Sequence, residues 1–157
     1  MRAYNVEHVQ PLPNGKKSVI AIVIAYTCPS LKSDLQLYWH MMMDQTVPMP
    51  NINVVTMPGA VPNEGWNSEE CLDVQMVAAM NPFADIWVVE AATCGFPELL
   101  NAVMYASDII KADVISMSWG TNDNAGIPAV FRDVFTRENI CYCASSGDTN
   151  TASWPSV

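Results

Sequence analysis

Basic side chains are scarce in this chain of 157 residues, which has 7 Lys and Arg against 16 Asp and Glu and a formal net charge of −9. Nucleic acids and anionic membranes are bound through basic surfaces, so the charge balance argues against both as partners. No apolar run approaches the roughly 20 residues that cross a bilayer, and the N-terminal residues lack the apolar core of a signal peptide. The excess of acids suits a protein that works at acid pH, where many carboxylates are neutral.

Several sequence motifs are also absent. There is no GxGxxG after the first apolar run and no GxxxxGK followed by Ser or Thr, so dinucleotide and P-loop nucleotide binding have no support. The two histidines have no partner at ligand spacing and the cysteines include no CxxC, so we predict no metal site in this chain. An odd number of cysteines leaves one thiol unpaired in any complete disulfide scheme, and we interpret them as buried free thiols. They are Cys28, Cys71, Cys94, Cys141 and Cys143.

The apolar runs of the chain have the lengths and compositions of strands and helices. Five runs rich in β-branched residues predict strands of a buried parallel sheet at 18–26, 52–57, 85–90, 113–119 and 140–145. Helical periodicity predicts helices at 31–43, 67–80, 97–110 and 128–138. This alternation is typical of an α/β fold, a doubly wound parallel sheet with helices on both faces. The length fits a single domain over residues 1–157.

The second predicted helix carries two acids on one face. Asn67 is a good N-cap, and Glu70 would complete a capping box. Glu69 and Asp73 lie on one stripe that we expect to face the interior, because its other members are apolar. Those members are Leu72, Met76 and Met80. Two interpretations stay open: Glu69 and Asp73 are solvated surface acids, or they are a partly buried pair that shares a proton.

Three features of the sequence fall at the ends of predicted strands. The helix with Glu69 and Asp73 follows the second strand, Ser118-Trp119-Gly120 ends the fourth, and Gly147-Asp148 follows the fifth. In doubly wound sheets, sites form outside the carboxyl ends of the strands. The convergence of these features predicts a functional site at that edge.

Taken in order, segments across nearly the whole chain resemble the sedolisin (serine-carboxyl peptidase) family of subtilisin-like proteins. No single motif carries the resemblance, which rests on their order and spacing. The segments are 19–26 with Pro29 and Asp34-Leu35, Trp66-Asn67-Ser68-Glu69, Leu72-Asp73-Val74, Ala79-Met80-Asn81-Pro82, Val88-Val89-Glu90-Ala91, Ser116-Met117-Ser118-Trp119-Gly120 and Ala144-Ser145-Ser146-Gly147-Asp148.

The resemblance implies a serine-type endopeptidase that cleaves peptide bonds at acid pH through an acyl-enzyme. It implies that Glu69 is the general base, that Asp73 is its supporting acid and that Asp148 is the oxyanion-hole residue. Ser118, Trp119 and Gly120 resemble the segment that binds an extended peptide substrate. The family's nucleophile, in a Ser-Gly-Thr-Ser type segment, and its calcium site belong to a more C-terminal part of the domain. The nucleophile therefore stays unknown, and we expect no cofactor or metal in this chain.

Two hypotheses follow from the resemblance. The first is that the chain is the N-terminal half of a sedolisin-like catalytic domain, truncated at its C-terminal side, inactive alone and a partner of the remaining half. The second is that it is a non-catalytic relative that serves as a binding or interaction module. The expected partner is a peptide or protein substrate, not a nucleic acid or a membrane. The family implies a secreted or lysosome-like acidic location, and the sequence itself leaves localisation unknown.

Overall fold

A parallel sheet of five strands organises the chain. A computed structural model describes residues 9–122 and 128–157. The sheet order is β2-β3-β1-β4-β5, and every neighbouring pair is parallel. The strands are β1 (Val19–Ala25), β2 (Ile52–Thr56), β3 (Asp85–Ala91), β4 (Val114–Met117) and β5 (Cys141–Ala144). All five lie within the predicted strand positions or within one residue of them, and the prediction of a doubly wound α/β fold is confirmed.

Helices connect these strands. They are α1 (Leu31–Met42), α2 (Glu64–Met80), α3 (Phe96–Met104), which continues into a π-helix (Tyr105–Ile110), and α4 (Ala129–Arg132), which continues into a 3₁₀ helix (Asp133–Phe135). A 3₁₀ turn (Pro13–Gly15) precedes β1. Within the described residues, no helix has the length and apolar character needed to cross a membrane.

Two apolar layers cover the two faces of the sheet. Successive residues of β1 point to opposite faces, so Ile22 packs in the layer of α1 and α2 whereas Val23 packs in the layer of α3. Both side chains are fully buried. A strand that is covered on both faces has a continuous apolar sequence, and for this reason the composition of β1 predicts it.

The last predicted helix, 128–138, is wrong in length. The α-helical part ends at Arg132 and the following 3₁₀ helix ends at Phe135. The Arg137 guanidinium donates to the carbonyl oxygens of Asp133 and Val134 at 3.1 and 3.3 Å. These carbonyls would accept backbone N–H groups if the helix continued, so the arginine side chain terminates it.

Helix α2 begins earlier than the sequence predicts. Asn63 is its N-cap, and the Asn63 side chain accepts a hydrogen bond from the backbone N–H of Gly65 at 2.9 Å. Glu64 follows in the first turn, where the helix dipole favours an acid. The prediction of Asn67 as N-cap is therefore wrong, because an equally good capping residue stands one turn upstream. Asn67 and Glu70 both lie inside the helix.

The buried face of α2 is also rotated relative to the predicted stripe. Leu72 and Met76 are 51% and 38% exposed, whereas Asp73 is buried. The residues that face the sheet are Glu70, Asp73, Val74, Ala78 and Ala79. Small side chains at 78 and 79 let the helix lie close to β1 and β3, and this contact decides the face. Helix α1 buries Leu31, Leu35 and Trp39 but leaves Met42, in its last turn, 69% exposed.

Candidate functional site

A hydrogen bond joins two of the three predicted features at the carboxyl edge of the sheet. The Ser118 hydroxyl, just beyond β4, donates to Asp73 Oδ1 on α2 at 2.7 Å. Helix α2 packs on β1 and β3, and β4 pairs with β1, so the sheet places the end of β4 beside the third turn of α2. The predicted convergence of α2 with the Ser118 segment is a feature of the structure.

Asp73 is a buried acid with an altered proton affinity. The pKa of Asp73 is raised to about 6, mainly because burial desolvates the carboxylate, and the negative charge of Glu69 contributes to this shift. The hydrogen bond from Ser118 opposes this shift, because it stabilises the carboxylate. Asp73 Oδ2 is buried and has no hydrogen-bond partner within the described residues. The interpretation of Asp73 as a solvated surface acid is therefore wrong, and Glu69 beside it is half-buried.

Glu70 is the acid that sequence reasoning assigned to the wrong role. Its side chain is 1% exposed and faces Glu90, the penultimate residue of β3, which is 3% exposed. The pKa of Glu70 is raised to about 8, mainly by desolvation, and the charge of Glu90, a hydrogen bond with Glu90 and the charge of Asp73 contribute to this shift. With a pKa of about 8, the Glu70 carboxyl beside Glu90 is mostly neutral near pH 7. Thr56 Oγ1 donates to Glu90 Oε2 at 2.5 Å. In the sequence, Glu90 is an acid within a strand predicted to be buried on both faces, and this could have indicated that a second acid lies beside it.

Trp119 lies in the core rather than in an open groove. Its side chain is 5% exposed, and its indole N–H donates to the carbonyl oxygen of Val23 at 3.0 Å. The ring also lies 6.4 Å from the ring of Phe96, centroid to centroid. The indole therefore fastens the end of β4 to β1. A contact between substrate and residue 119 would have to use its backbone.

An open cleft of about 410 Å³ brings Ser118, Gly120 and Asp148 together. Its wall also contains Ser145 and Gly147, from the turn after β5. Gly147 has φ +89°, a left-handed conformation that suits glycine, and it turns the chain so that the exposed Asp148 follows directly. Neither Glu69 nor Asp73 lines this cleft, and Asp73 reaches it through its hydrogen bond with Ser118.

The chain itself covers part of the edge beyond β4. Thr121 and Trp154 exchange backbone hydrogen bonds of 3.0 and 2.8 Å in an antiparallel bridge. A Cβ atom at Gly120 would lie 2.7 Å from the carbonyl oxygen of Trp154 and 2.8 Å from Ser153 Oγ. Gly120 is needed for this close approach. The backbone that directly follows the segment predicted to pair with a peptide is therefore occupied at residue 121.

The cysteines differ from the predicted set of buried free thiols. All five are free, but Cys28 is the buried one, Cys71 is half-buried, and Cys94, Cys141 and Cys143 are exposed. Within the described residues, the one group that could hold a metal is Cys28, Asp34 and Cys71, whose ligand atoms lie within 4.8 Å of one another. Calcium takes oxygen ligands, so two sulfurs and one carboxylate do not fit the calcium ion that the resemblance implies for another part of the domain.

Comparison with known proteins yields a structural match. No protein-family model and no curated protein matches this chain. Among solved structures, it is similar to Pseudomonas sedolisin, a serine-carboxyl proteinase complexed with two molecules of pseudo-iodotyrostatin, with a TM-score of 0.54 and 19% sequence identity. The match covers 68% of this chain and 30% of the sedolisin chain. At this identity the match shows a shared fold, which agrees with a partial subtilisin-like doubly wound sheet.

Proposed function

We propose that residues 1–157 are part of the catalytic domain of an acid-active serine-type endopeptidase that forms an acyl-enzyme. The observation that carries this proposal is the Ser118–Asp73 hydrogen bond, which links a buried acid on α2 to the cleft that contains Asp148. The fold shared with sedolisin supports the same function. The nucleophile is expected from a segment beyond residue 157.

The roles proposed for the three acids follow from the chemistry of acyl transfer. Glu69 would accept the proton of a serine nucleophile, and Asp73, beside it on α2, would support that carboxyl group. A carboxylate base suits acid pH, where an imidazole would already be protonated. Asp148, as a neutral carboxyl, would donate a hydrogen bond to the oxyanion of the tetrahedral intermediate, whereas a charged carboxylate would oppose it.

Substrate binding is proposed at the backbone of Ser118-Trp119-Gly120. An extended peptide would pair with this segment as an added strand, in the manner of β-augmentation. The buried indole of Trp119 supports this by holding the end of β4 in place, and Gly120 lies at the cleft surface. Side chains of the substrate would then project into the cleft.

The test begins with the coding DNA beyond the Val157 codon. The proposal expects the frame to continue and to encode a Ser-Gly-Thr-Ser segment. In the protein encoded by the continued frame, Glu69→Gln is expected to lower kcat/KM for a peptide substrate at acid pH on the order of 10²- to 10⁴-fold. Glu64→Gln, an exposed acid on the same helix, is the matched control and should leave kcat/KM unchanged. A stop codon after Val157, or equal activity of the two variants, would contradict the proposal.

A second candidate function is a non-catalytic interaction module. It is favoured by β5, an edge strand of which Cys141 and Cys143 are exposed. An unpaired strand edge is a template for pairing with another chain. This alternative predicts that Glu69→Gln and Asp148→Asn leave every activity of the natural protein unchanged while a partner chain still binds.

A further inference from the structure

Cys28 and Cys71 are distant in sequence but in contact beside α2, the helix that carries Glu69 and Asp73. Cys28 lies between β1 and α1, and Cys71 lies in α2, 43 residues later. Their sulfur atoms are 3.8 Å apart, and the Cys28 side chain is 5% exposed. A disulfide bond is about 2.05 Å long, so the two sulfurs need to approach by about 1.8 Å.

The backbone holds these two cysteines in register. The Thr27 N–H donates to the carbonyl oxygen of Val61 at 3.1 Å, and the Asn63 N–H donates to the carbonyl oxygen of Thr27 at 3.4 Å. The residue before Cys28 is thereby tied to the segment that leads directly into α2. These backbone hydrogen bonds therefore fix the position of Cys28 relative to the start of α2.

The polar neighbours of the thiols remain satisfied if both hydrogens are lost. Asp34 Oδ2 accepts a hydrogen bond from Cys71 Sγ at 3.4 Å and a shorter one, 2.6 Å, from Ser30 Oγ. If Cys71 loses its hydrogen in a disulfide, Asp34 keeps Ser30 as a donor. A neutral disulfide therefore leaves no buried charge unpaired, whereas two thiolates beside Asp34 would gather three negative charges in one place.

Burial also favours the oxidised state once it has formed. The pKa of Cys71 is raised to about 12, mainly by desolvation, with contributions from the neighbouring Cys28 and Asp34. A thiol of high pKa is a poor leaving group in thiol–disulfide exchange. A disulfide that includes Cys71 would therefore resist reduction.

We propose that Cys28 and Cys71 are an intramolecular disulfide site that joins the start of α1 to α2 when the protein meets a small-molecule disulfide oxidant. Cys71, the more exposed of the two, attacks one sulfur of the oxidant through the small fraction of its thiol that is deprotonated and releases one small thiolate. Cys28 then attacks the Cys71 sulfur of the mixed disulfide and releases the second. The two protein thiols are oxidised, the oxidant is reduced to two thiols, and the two protein protons neutralise the two thiolates.

The other close pair of cysteines provides an internal comparison. Cys141 and Cys143 also have sulfur atoms 3.8 Å apart, but they stand two positions apart on the single edge strand β5. Two positions of a strand span about 6.6 Å, at the upper limit of the Cα–Cα separation that a disulfide tolerates. We therefore expect the long-range pair to close and this local pair to stay reduced.

The disulfide has a consequence for α2 that is independent of any catalytic role. Cys71 lies between Glu69 and Asp73 on the helix, so a bond to Cys28 fixes the segment that carries both acids. Cross-linking a loop of this length removes conformational entropy from the unfolded chain. The inference goes beyond the proposed function and stands or falls without it.

The test is oxidation of the purified full chain with oxidised glutathione, followed by alkylation, intact mass measurement and peptide mapping. We expect the loss of two hydrogen atoms, a cross-linked peptide pair containing Cys28 and Cys71, and a Tm about 8–16 °C above that of the reduced protein. The same gain is expected in Cys94→Ser and in the double variant Cys141→Ser/Cys143→Ser, and it should vanish in Cys71→Ser.

Three results would overturn the proposal. The first is a cross-link that maps to Cys141 and Cys143, and the second is a stable glutathione adduct on Cys71 with Cys28 still free. The third is a chain that retains stoichiometric zinc on two reduced thiols and does not oxidise. All three results are measured on the unmutated chain. The test therefore does not require the Cys71→Ser variant to fold.

Discussion

Ser118 donates a 2.7 Å hydrogen bond to Asp73 across 45 residues of sequence. The bond is made by a residue that follows β4 and a residue inside α2, two elements that meet only because β4 pairs with the central strand β1. Asp73 Oδ1 accepts this hydrogen bond, whereas Asp73 Oδ2 is buried and has no hydrogen-bond partner within the described residues. The proposed catalytic helix and the proposed substrate edge are thereby physically connected.

Replacement of Ser118 by alanine is expected to destabilise the protein at neutral pH by about 1–3 kcal/mol, because a buried carboxylate loses its donor. The pKa of Asp73 should rise above its value of about 6, since the Ser118 hydrogen bond lowers it. Urea unfolding at pH 7 measures the loss, with Ser68→Ala, an exposed serine on α2, as the control. Equal stability of the two variants would show that this hydrogen bond contributes nothing.

Stability is expected to fall as pH rises through the titration of Glu70. The pKa of this acid is raised from 4.5 to about 8 in the folded protein, so the folded state binds more protons than the unfolded state between these values. The contribution is fully present below pH 4.5 and is lost as pH approaches 8. The groups that face Glu70 are Glu90 from β3 and Asp73 from α2.

Glu70→Gln should remove most of this pH dependence, because glutamine keeps the shape of the neutral carboxyl group and does not ionise. We expect the variant to gain stability relative to the unmodified protein on the order of 2–4 kcal/mol at pH 8.5, with a smaller difference at pH 4.5. Thermal and urea unfolding across this range measure it, with Glu64→Gln as the exposed control. A parallel dependence in all three proteins would refute the assignment to Glu70.

Gly120→Ala is expected to displace the segment around Trp154. The new methyl group would lie 2.7 Å from a backbone carbonyl oxygen, which cannot rotate away as a side chain can. We predict a loss of about 1–3 kcal/mol in unfolding free energy. Ser145→Ala, in the same cleft, adds no atom and should have a much smaller effect. Hydrogen exchange at Thr121 and Trp154 would rise in the alanine variant if the bridge opens.

The 157-residue chain alone is predicted to lack peptidase activity at any pH. Covalent catalysis needs a nucleophile, and the serines of this chain do not match the segment expected to supply it. The measurement is hydrolysis of a fluorogenic peptide library from pH 3 to pH 8 with purified protein. Appreciable turnover that Glu69→Gln abolishes would mean that the nucleophile lies within these residues.

Local pattern was sufficient to predict the sheet. The strand β1 is a continuous apolar run, and most of β3 is apolar, as expected of strands that are buried on both faces. The placement of Ser118 and Asp148 at one edge also followed from sequence, since parallel strands bring their carboxyl ends together. The start of α2 did not follow, because Asn63 and Asn67 are equally good caps when only their neighbours are considered.

The sequence by itself determined the alternation of strands and helices and the edge at which polar residues gather, because periodicity and strand direction are local properties of the chain. Only the tertiary structure decided that Glu70 rather than Leu72 faces the sheet, that Glu90 is its partner, and that Cys28 meets Cys71. Adjacent positions on a helix differ by about 100° in direction. The identity of the buried acid therefore depends on how α2 is rotated against β1 and β3, and that rotation is set by contacts between residues far apart in the sequence.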